Sequence, residues 1–191
     1  MRFPLVVLIT QSIFLMSIFG QDRSFILAQI QKWQRDVAAN PKDYEALAAM
    51  GSAYGKLGDD TTAVTYFNKA IAVNPSYAEA YLGLGTSYGF LKQPELAAAA
   101  LKKAVFLDPK NPYAHAKLGT TLGKAGQYKL AIGELREAVR LKPDLADAHF
   151  ALGLAYLSSG DRRQSIAERE VLSHLDPESA RQLQGLLNQS Q

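Results

Sequence analysis

No cysteine occurs in the 191 residues, which excludes thiol nucleophiles, disulfide staples and thiolate-held metals. Charge of one sign is also lacking: 21 Lys and Arg face 18 Asp and Glu, a formal net charge of +3. Such a balance calls for neither nucleic acid nor an anionic membrane surface as partner. Loss of residues 1–20 would remove only Arg2 from it. No carboxylate pair at a catalytic spacing, Gly-rich phosphate loop or nucleophile elbow is read, so the expectation is a chain that is not an enzyme and carries no cofactor. What is present is 48% hydrophobic sequence with 20% charge, enough for a packed core and too apolar for wholesale disorder.

That apolar content is periodic. Tyr44 to Tyr77 contains Leu47, Met50, Gly51 and Tyr54, then Gly58, Ala63, Phe67, Ala70 and Pro75. A shift of 34 residues finds Tyr81, Leu84, Gly85 and Tyr88, then Ala97, Leu101, Ala104 and Pro109. A second shift finds His115, Leu118, Gly119 and Leu122, then Gly126, Ala131, Leu135, Ala138 and Pro143. A third finds His149, Leu152, Gly153 and Tyr156, then Gly160 and Pro177. A fixed period of this length marks stacked repeats rather than one folded core.

Within the first copy, Leu47, Met50, Tyr54 and Leu57 form one helical stripe, and Ala63, Val64, Phe67, Ala70 and Ile71 another. Gly58, Asp59 and Asp60 supply a turn and a cap between them, and Asn74 with Pro75 stops the second helix. Glycine inside a helix costs about 1 kcal/mol against alanine. Gly51, Gly85, Gly119 and Gly153 are therefore read as points of close helix approach, where the small Ala63, Ala97 or Ala131 of the second helix packs against the first.

These residues resemble the tetratricopeptide repeat: an aromatic or large apolar residue, Leu-Gly, Tyr, Gly, Ala, Phe or Leu, Ala and Pro, over Tyr44 to about Ser179. The resemblance implies an all-α, right-handed solenoid of antiparallel helix pairs, with repeats at 44–77, 78–111, 112–145 and 146–179. The chain departs from the pattern at Lys92, which replaces a turn glycine, and at Ser165, Arg169 and Leu172, which replace alanine, a large apolar residue and alanine. The fourth repeat is expected to be looser.

The flanks are read from the same register. Residues 1–20, almost unbroken apolar sequence from Phe3 to Phe19 behind Arg2, have the layout of an export signal or a retained N-terminal membrane anchor. Either one delivers the repeats across a membrane: exported to a periplasm, lumen or extracellular space, or tethered on the far side. Residues 21–43 read as a capping helix, with Ser24 as its cap, Ile26, Ile30, Trp33 and Val37 as its apolar face and Pro41 in the place of the later prolines. Trp33 is taken as core. Residues 180–191 read as a C-terminal capping helix and tail, with Leu183, Leu186 and Leu187 continuing a first-helix stripe.

His115 and His149 stand one repeat apart. Equivalent residues of adjacent repeats are separated by a whole hairpin, and helices pack about 8–10 Å apart, too far to share a metal whose ligands sit about 2 Å away. Both are read as packing residues, His174 as solvated or capping, and no metal is expected. Asp161, Arg162 and Arg163 are read as a solvated turn, with a rim contact as the alternative.

In the family the first helices line a concave groove. Carried onto this chain, that implies Glu45, Ala48, Ser52 and Lys56; Glu79, Leu82, Thr86 and Phe90; Tyr113, Ala116, Thr120 and Lys124; and Asp147, Phe150, Leu154 and Ser158. Leu82, Phe150 and Leu154 carry the alternative reading of packing between helices. One branch of the family clamps acidic chaperone tails through Lys, Arg and Asn at these positions. Here they hold Ala48, Ser52, Gly83 and Tyr113, with Lys117 alone retained, and that role is disfavoured. The expectation is a non-catalytic scaffold holding an apolar or extended peptide, or an amphipathic helix, of an unidentified protein partner. The alternative is an assembly or tethering factor for an envelope or membrane complex, acting through its convex face or by self-association.

Overall fold

The structure, a computed structural model, describes residues 23–189. The expected export signal or anchor over 1–20 lies outside the described residues. Every regular element described is an α-helix, and among the described residues no helix is long and apolar enough to cross a membrane. The helices form two compact units, divided between Pro75 and Ser76. That boundary falls where the first repeat meets the second.

Unit one holds α1 (residues 23–39), α2 (Tyr44–Lys56) and α3 (Asp60–Val73). The described residues are helical from position 23, so Ser24 lies within α1 rather than ahead of it. Asp43 and Asp59 cap α2 and α3, their carboxylates accepting from the Ala46 amide at 2.9 Å and the Thr62 amide at 3.0 Å. Each satisfies one of the orphan donors of a helix start. Buried Ile30, Met50 and Ala53 make the core, with Ile26, Trp33, Val37, Tyr54, Leu57 and Tyr66 packed around them. Trp33 is thus a core residue, and the Tyr54 and Tyr66 rings stack with centroids 5.4 Å apart.

Unit two holds α4 (Ala78–Phe90), α5 (Pro94–Leu107), α6 (Pro112–Lys124), α7 (Tyr128–Leu141), α8 (Ala146–Ser158), α9 (Arg162–Leu175) and α10 (Pro177–Gln189). Sequential helices pack as antiparallel pairs, and the first helices also meet one another, α4 with α6, α6 with α8 and α8 with α10. Pro94, Pro112 and Pro177 stand at helix starts, where no amide is missed. Pro177 therefore opens α10 inside the span assigned to the fourth repeat. At the turn between paired helices, Gly58, Gly126 and Gly160 take φ of 81°, 74° and 89°, and Lys92 takes 57°. A left-handed lysine costs about 1–2 kcal/mol that glycine avoids.

The helical glycines do mark close approach, and there the expected alanines come up through their backbone while a leucine side chain lies nearer still. A Cβ at Gly85 would lie 2.6 Å from Leu101 Cγ, and at Gly119 2.5 Å from Leu135 Cγ; Ala97 and Ala131 contribute only their carbonyl oxygens, at 3.1 and 3.0 Å. In the fourth repeat Arg169 stands where those leucines stand, and the space over Gly153 is filled instead by Leu183 of α10, 2.5 Å away at Cδ2. Leu172, Ala180, Leu183 and Leu187 form the buried cluster at that end.

Candidate interaction face

Some of the non-consensus residues on the first helices of unit two border one depression. It lies between α6 and α8, has a volume of about 240 Å³ and is lined by Gly119, Thr120, Gly123, Lys124, Tyr128, Ala151, Leu154, Ala155 and Ser158. Four sequence-derived groove residues meet there: Thr120, Lys124, Leu154 and Ser158. The lining is mostly apolar for a physical reason beyond its small residues. Thr120 donates its hydroxyl to the Ala116 carbonyl at 2.8 Å, and Thr86 does the same to Leu82 at 2.8 Å. With each hydroxyl committed to its own helix, the methyl group is what remains for a visitor.

The other groove candidates sort by exposure. Phe90, at the end of α4, is 70% exposed and Tyr113, at the start of α6, is 50% exposed; both are large apolar surfaces open to solvent. Glu79, Lys117, Lys124 and Asp147 are exposed charges. Leu82 and Ala116 are half-buried against the core around Leu101, Leu118 and Leu135. Phe150 and Leu154 pack against the Leu172–Leu183 cluster, so Phe150 serves chiefly as a wall. In unit one, Glu45, Ser52 and Lys56 are exposed while Ala48 is 6% exposed. Ala48 therefore offers no free surface.

Gly119, Gly123, Ala151, Ala155 and Tyr128 belong to the depression and were not among the groove residues expected from the sequence. Gly123 and Ala151 lie one turn from Thr120 and Leu154, so small residues at that offset were the available signal. Tyr128 had none. It opens α7 at a position that holds Asp60, Pro94 and Arg162 in the other repeats.

Several of the remaining polar groups are tied into the helix framework. Gly85-Thr86-Ser87-Tyr88-Gly89 has the letter spacing of a nucleophile elbow, but it lies within α4 and Ser87 is buried; the strand-to-helix turn that exposes such a serine is missing. Arg162 is tied down rather than solvated: its guanidinium donates to the Leu187 carbonyl at 2.5 Å, joining the start of α9 to the end of α10. Asp161 accepts from the Gln164 amide at 3.1 Å as the α9 cap, and Arg163 is exposed. His174 is exposed in the last turn of α9. Among the described residues no group of three or more His, Asp or Glu could hold a metal ion.

His115 and His149 are buried, and each does more than fill space. His115 Nδ1 lies 2.7 Å from Glu134 Oε2 and its Nε2 3.0 Å from the Pro109 carbonyl. His149 repeats this with Glu168 at 2.7 Å and Pro143 at 2.9 Å.

Paired antiparallel helices stacked at a fixed register and closed by half-repeats define a helical-repeat protein. A family model described as TPR repeat matches residues 51–89 and 122–160, and one described as Tetratricopeptide repeat matches 78–111. The chain belongs to the tetratricopeptide repeat family. Among solved structures it is similar to the crystal structure of MamA, at 25% identity and TM-score 0.70 over 80% of this chain and 89% of that one. It is also similar to YrrB, titled a TPR protein with an unusual peptide-binding site, at 20% identity and TM-score 0.71 over 90% of this chain and 87% of that one. A thermophilic TPR protein of Thermus thermophilus, TTC0263, matches at 23% identity and TM-score 0.68 over 92% of this chain and 94% of that one. No curated protein matches the chain. Tetratricopeptide repeat proteins are typically non-catalytic scaffolds for protein partners.

Proposed function

We propose that this chain is a non-catalytic interaction scaffold whose partner lies along the first helices of unit two. The observation that carries this reading is the depression between α6 and α8, small and apolar at its floor, with exposed Phe90 and Tyr113 on neighbouring first helices. The occupant is an extended apolar peptide or one face of an amphipathic helix. Its small side chains enter beside Thr120 and Leu154, while Phe90 and Tyr113 close over larger ones. Aromatic anchors of this kind dominate binding energy at an interface. Part of the gain is offset by ordering the bound segment. Phe90→Ala is expected to weaken a captured partner by roughly 10-fold or more, in keeping with a truncated hot spot. Unchanged affinity in a folded variant would end the groove reading.

A second reading, assembly of a larger complex through the second helices, is favoured by exposed Leu96, Phe106 and Leu130 on α5 and α7. It predicts a size in solution that grows with concentration and ignores substitutions at Phe90. The apolar run over residues 3–19 supports export or N-terminal tethering as the setting for either role. N-terminal sequencing of the mature chain tests it.

A further inference from the structure

The buried histidines pose a question of proton count. The His149 side chain is 9% exposed and both its ring nitrogens face acceptors, a carboxylate oxygen at 2.7 Å and a backbone carbonyl at 2.9 Å. A neutral imidazole has one N–H and can satisfy only one of them. Whichever atom carries it, the His149–Glu168 pair needs one proton beyond a neutral ring and an ionised carboxylate. The same triangle stands one repeat earlier at His115, Glu134 and Pro109, so the arrangement is built into the repeat and is not an accident of one rotamer.

Each triangle ties three pieces of chain: the turn that ends one repeat, the first helix of the next and that repeat's second helix. We propose that the proton held by the His149–Glu168 pair is a clasp on the junction of α7, α8 and α9, so that unit two is more stable in mildly acidic than in mildly basic surroundings.

The charged and titratable groups around the clasp come from α7, α8, α9 and the α8–α9 turn. Glu168 arrives from α9. Tyr156 follows on α8, and its phenol feels Arg136 of α7, Glu168 and Asp161 of the α8–α9 turn. Arg136 and Arg140 line one polar pocket with Tyr156, Asp161, Gln164 and Glu168. Arg140 is engaged by Glu137 at 2.6 Å. At the first triangle Glu137 also senses His115. The Glu168 hydrogen bond above all, helped by the Pro143 carbonyl and the Glu168 charge, holds His149 above the ordinary imidazole range against the opposing effect of burial. A folded-state value above the unfolded one gives stability that is complete below about pH 6.5 and is lost as pH rises through the folded value. Histidine is the side chain suited to that window.

The test follows the His149 ring protons of the full chain by NMR between pH 5 and 9, alongside thermal midpoints of the same chain. The expected result is a titration above about 6.5 and a midpoint about 4 °C lower at pH 8 than at pH 5.5, the size of a single proton-linked contact in a domain of this length. Glu168→Gln should return the titration of His149 toward the ordinary value and flatten the drop in midpoint. A ring that titrates at or below the ordinary value in the unsubstituted chain overturns the proposal, and that measurement stands whether or not the variant folds.

Discussion

The third and fourth repeats share a register, a glycine in the first helix and a His–Glu pair, yet they are closed by different means. In the α6–α7 hairpin, Leu135 of the second helix occupies the hollow over Gly119, and the hairpin completes itself. In the α8–α9 hairpin, Arg169 holds the equivalent position and the hollow over Gly153 is filled from outside by Leu183 of α10. The second helix α7 buries Ala131, Leu135 and Ala138; α9 buries only Ser165 and Leu172. A repeat that cannot bury its own face must take its partner from the next element, and here that element is the C-terminal helix.

The comparison breaks most visibly at Leu183. Leu183→Ala leaves a cavity and is expected to cost about 3 kcal/mol, within the range for buried leucines. Hydrogen exchange should then quicken across α8, α9 and α10 while α6 and α7 hold. Uniform acceleration through all of unit two would show that the fourth repeat is not separately closed. The glycines come next. At Gly119 a new methyl meets the Leu135 branch point and the Ala131 backbone carbonyl, neither of which can turn aside; at Gly153 it meets the outer methyl of Leu183. Overpacking is expected to cost about 2 kcal/mol for Gly119→Ala and about 1 kcal/mol for Gly153→Ala, each offset by about 1 kcal/mol of helix propensity, and urea unfolding midpoints would read the order. Last, Ser165 stands at an alanine position, wholly buried, with no partner for its hydroxyl among the described residues. Ser165→Ala removes that desolvated group and should stabilise by about 1 kcal/mol. A loss of stability would mean the hydroxyl has a partner in solution.

Much of this was legible in the residues. The 34-residue shift located the hairpins, and Asp59 and the turn glycines mark their inner ends where the structure has them. What stayed hidden is what depends on distance between helices. Gly51 and Gly119 announce an empty space, but only the crossing of the paired helix shows that Phe67 or Leu135, and not the neighbouring alanine, enters it. The register of α10 suggested a cap, and nothing in its letters said that Leu183 would replace a missing core residue of the repeat before it.

The histidine clasp left a faint trace. Glu134 and Glu168 accompany histidine in the third and fourth repeats, where the earlier copies pair Leu47 with Tyr66 and Tyr81 with Ala100. That co-occurrence was visible, but a separation of 19 residues suggests contact only once the hairpin is known. Among groove candidates, side-chain identity could not separate Phe90 from Phe150. Position along the helix decides it: one sits at an open end and the other against the C-terminal cluster.

The Gly119–Leu135 interlock has a consequence for how such a chain can vary. Neither residue can change alone without a clash or a void, so a tolerated change at one demands a matching change at the other. In a saturation library the two sites should accept substitutions only as compensating pairs. Thr120 and Lys124, on the adjoining stripe of the same helix, owe nothing to that lock. The frame can stay fixed while the lining of the depression drifts toward a new occupant, and a single helix can carry both histories side by side.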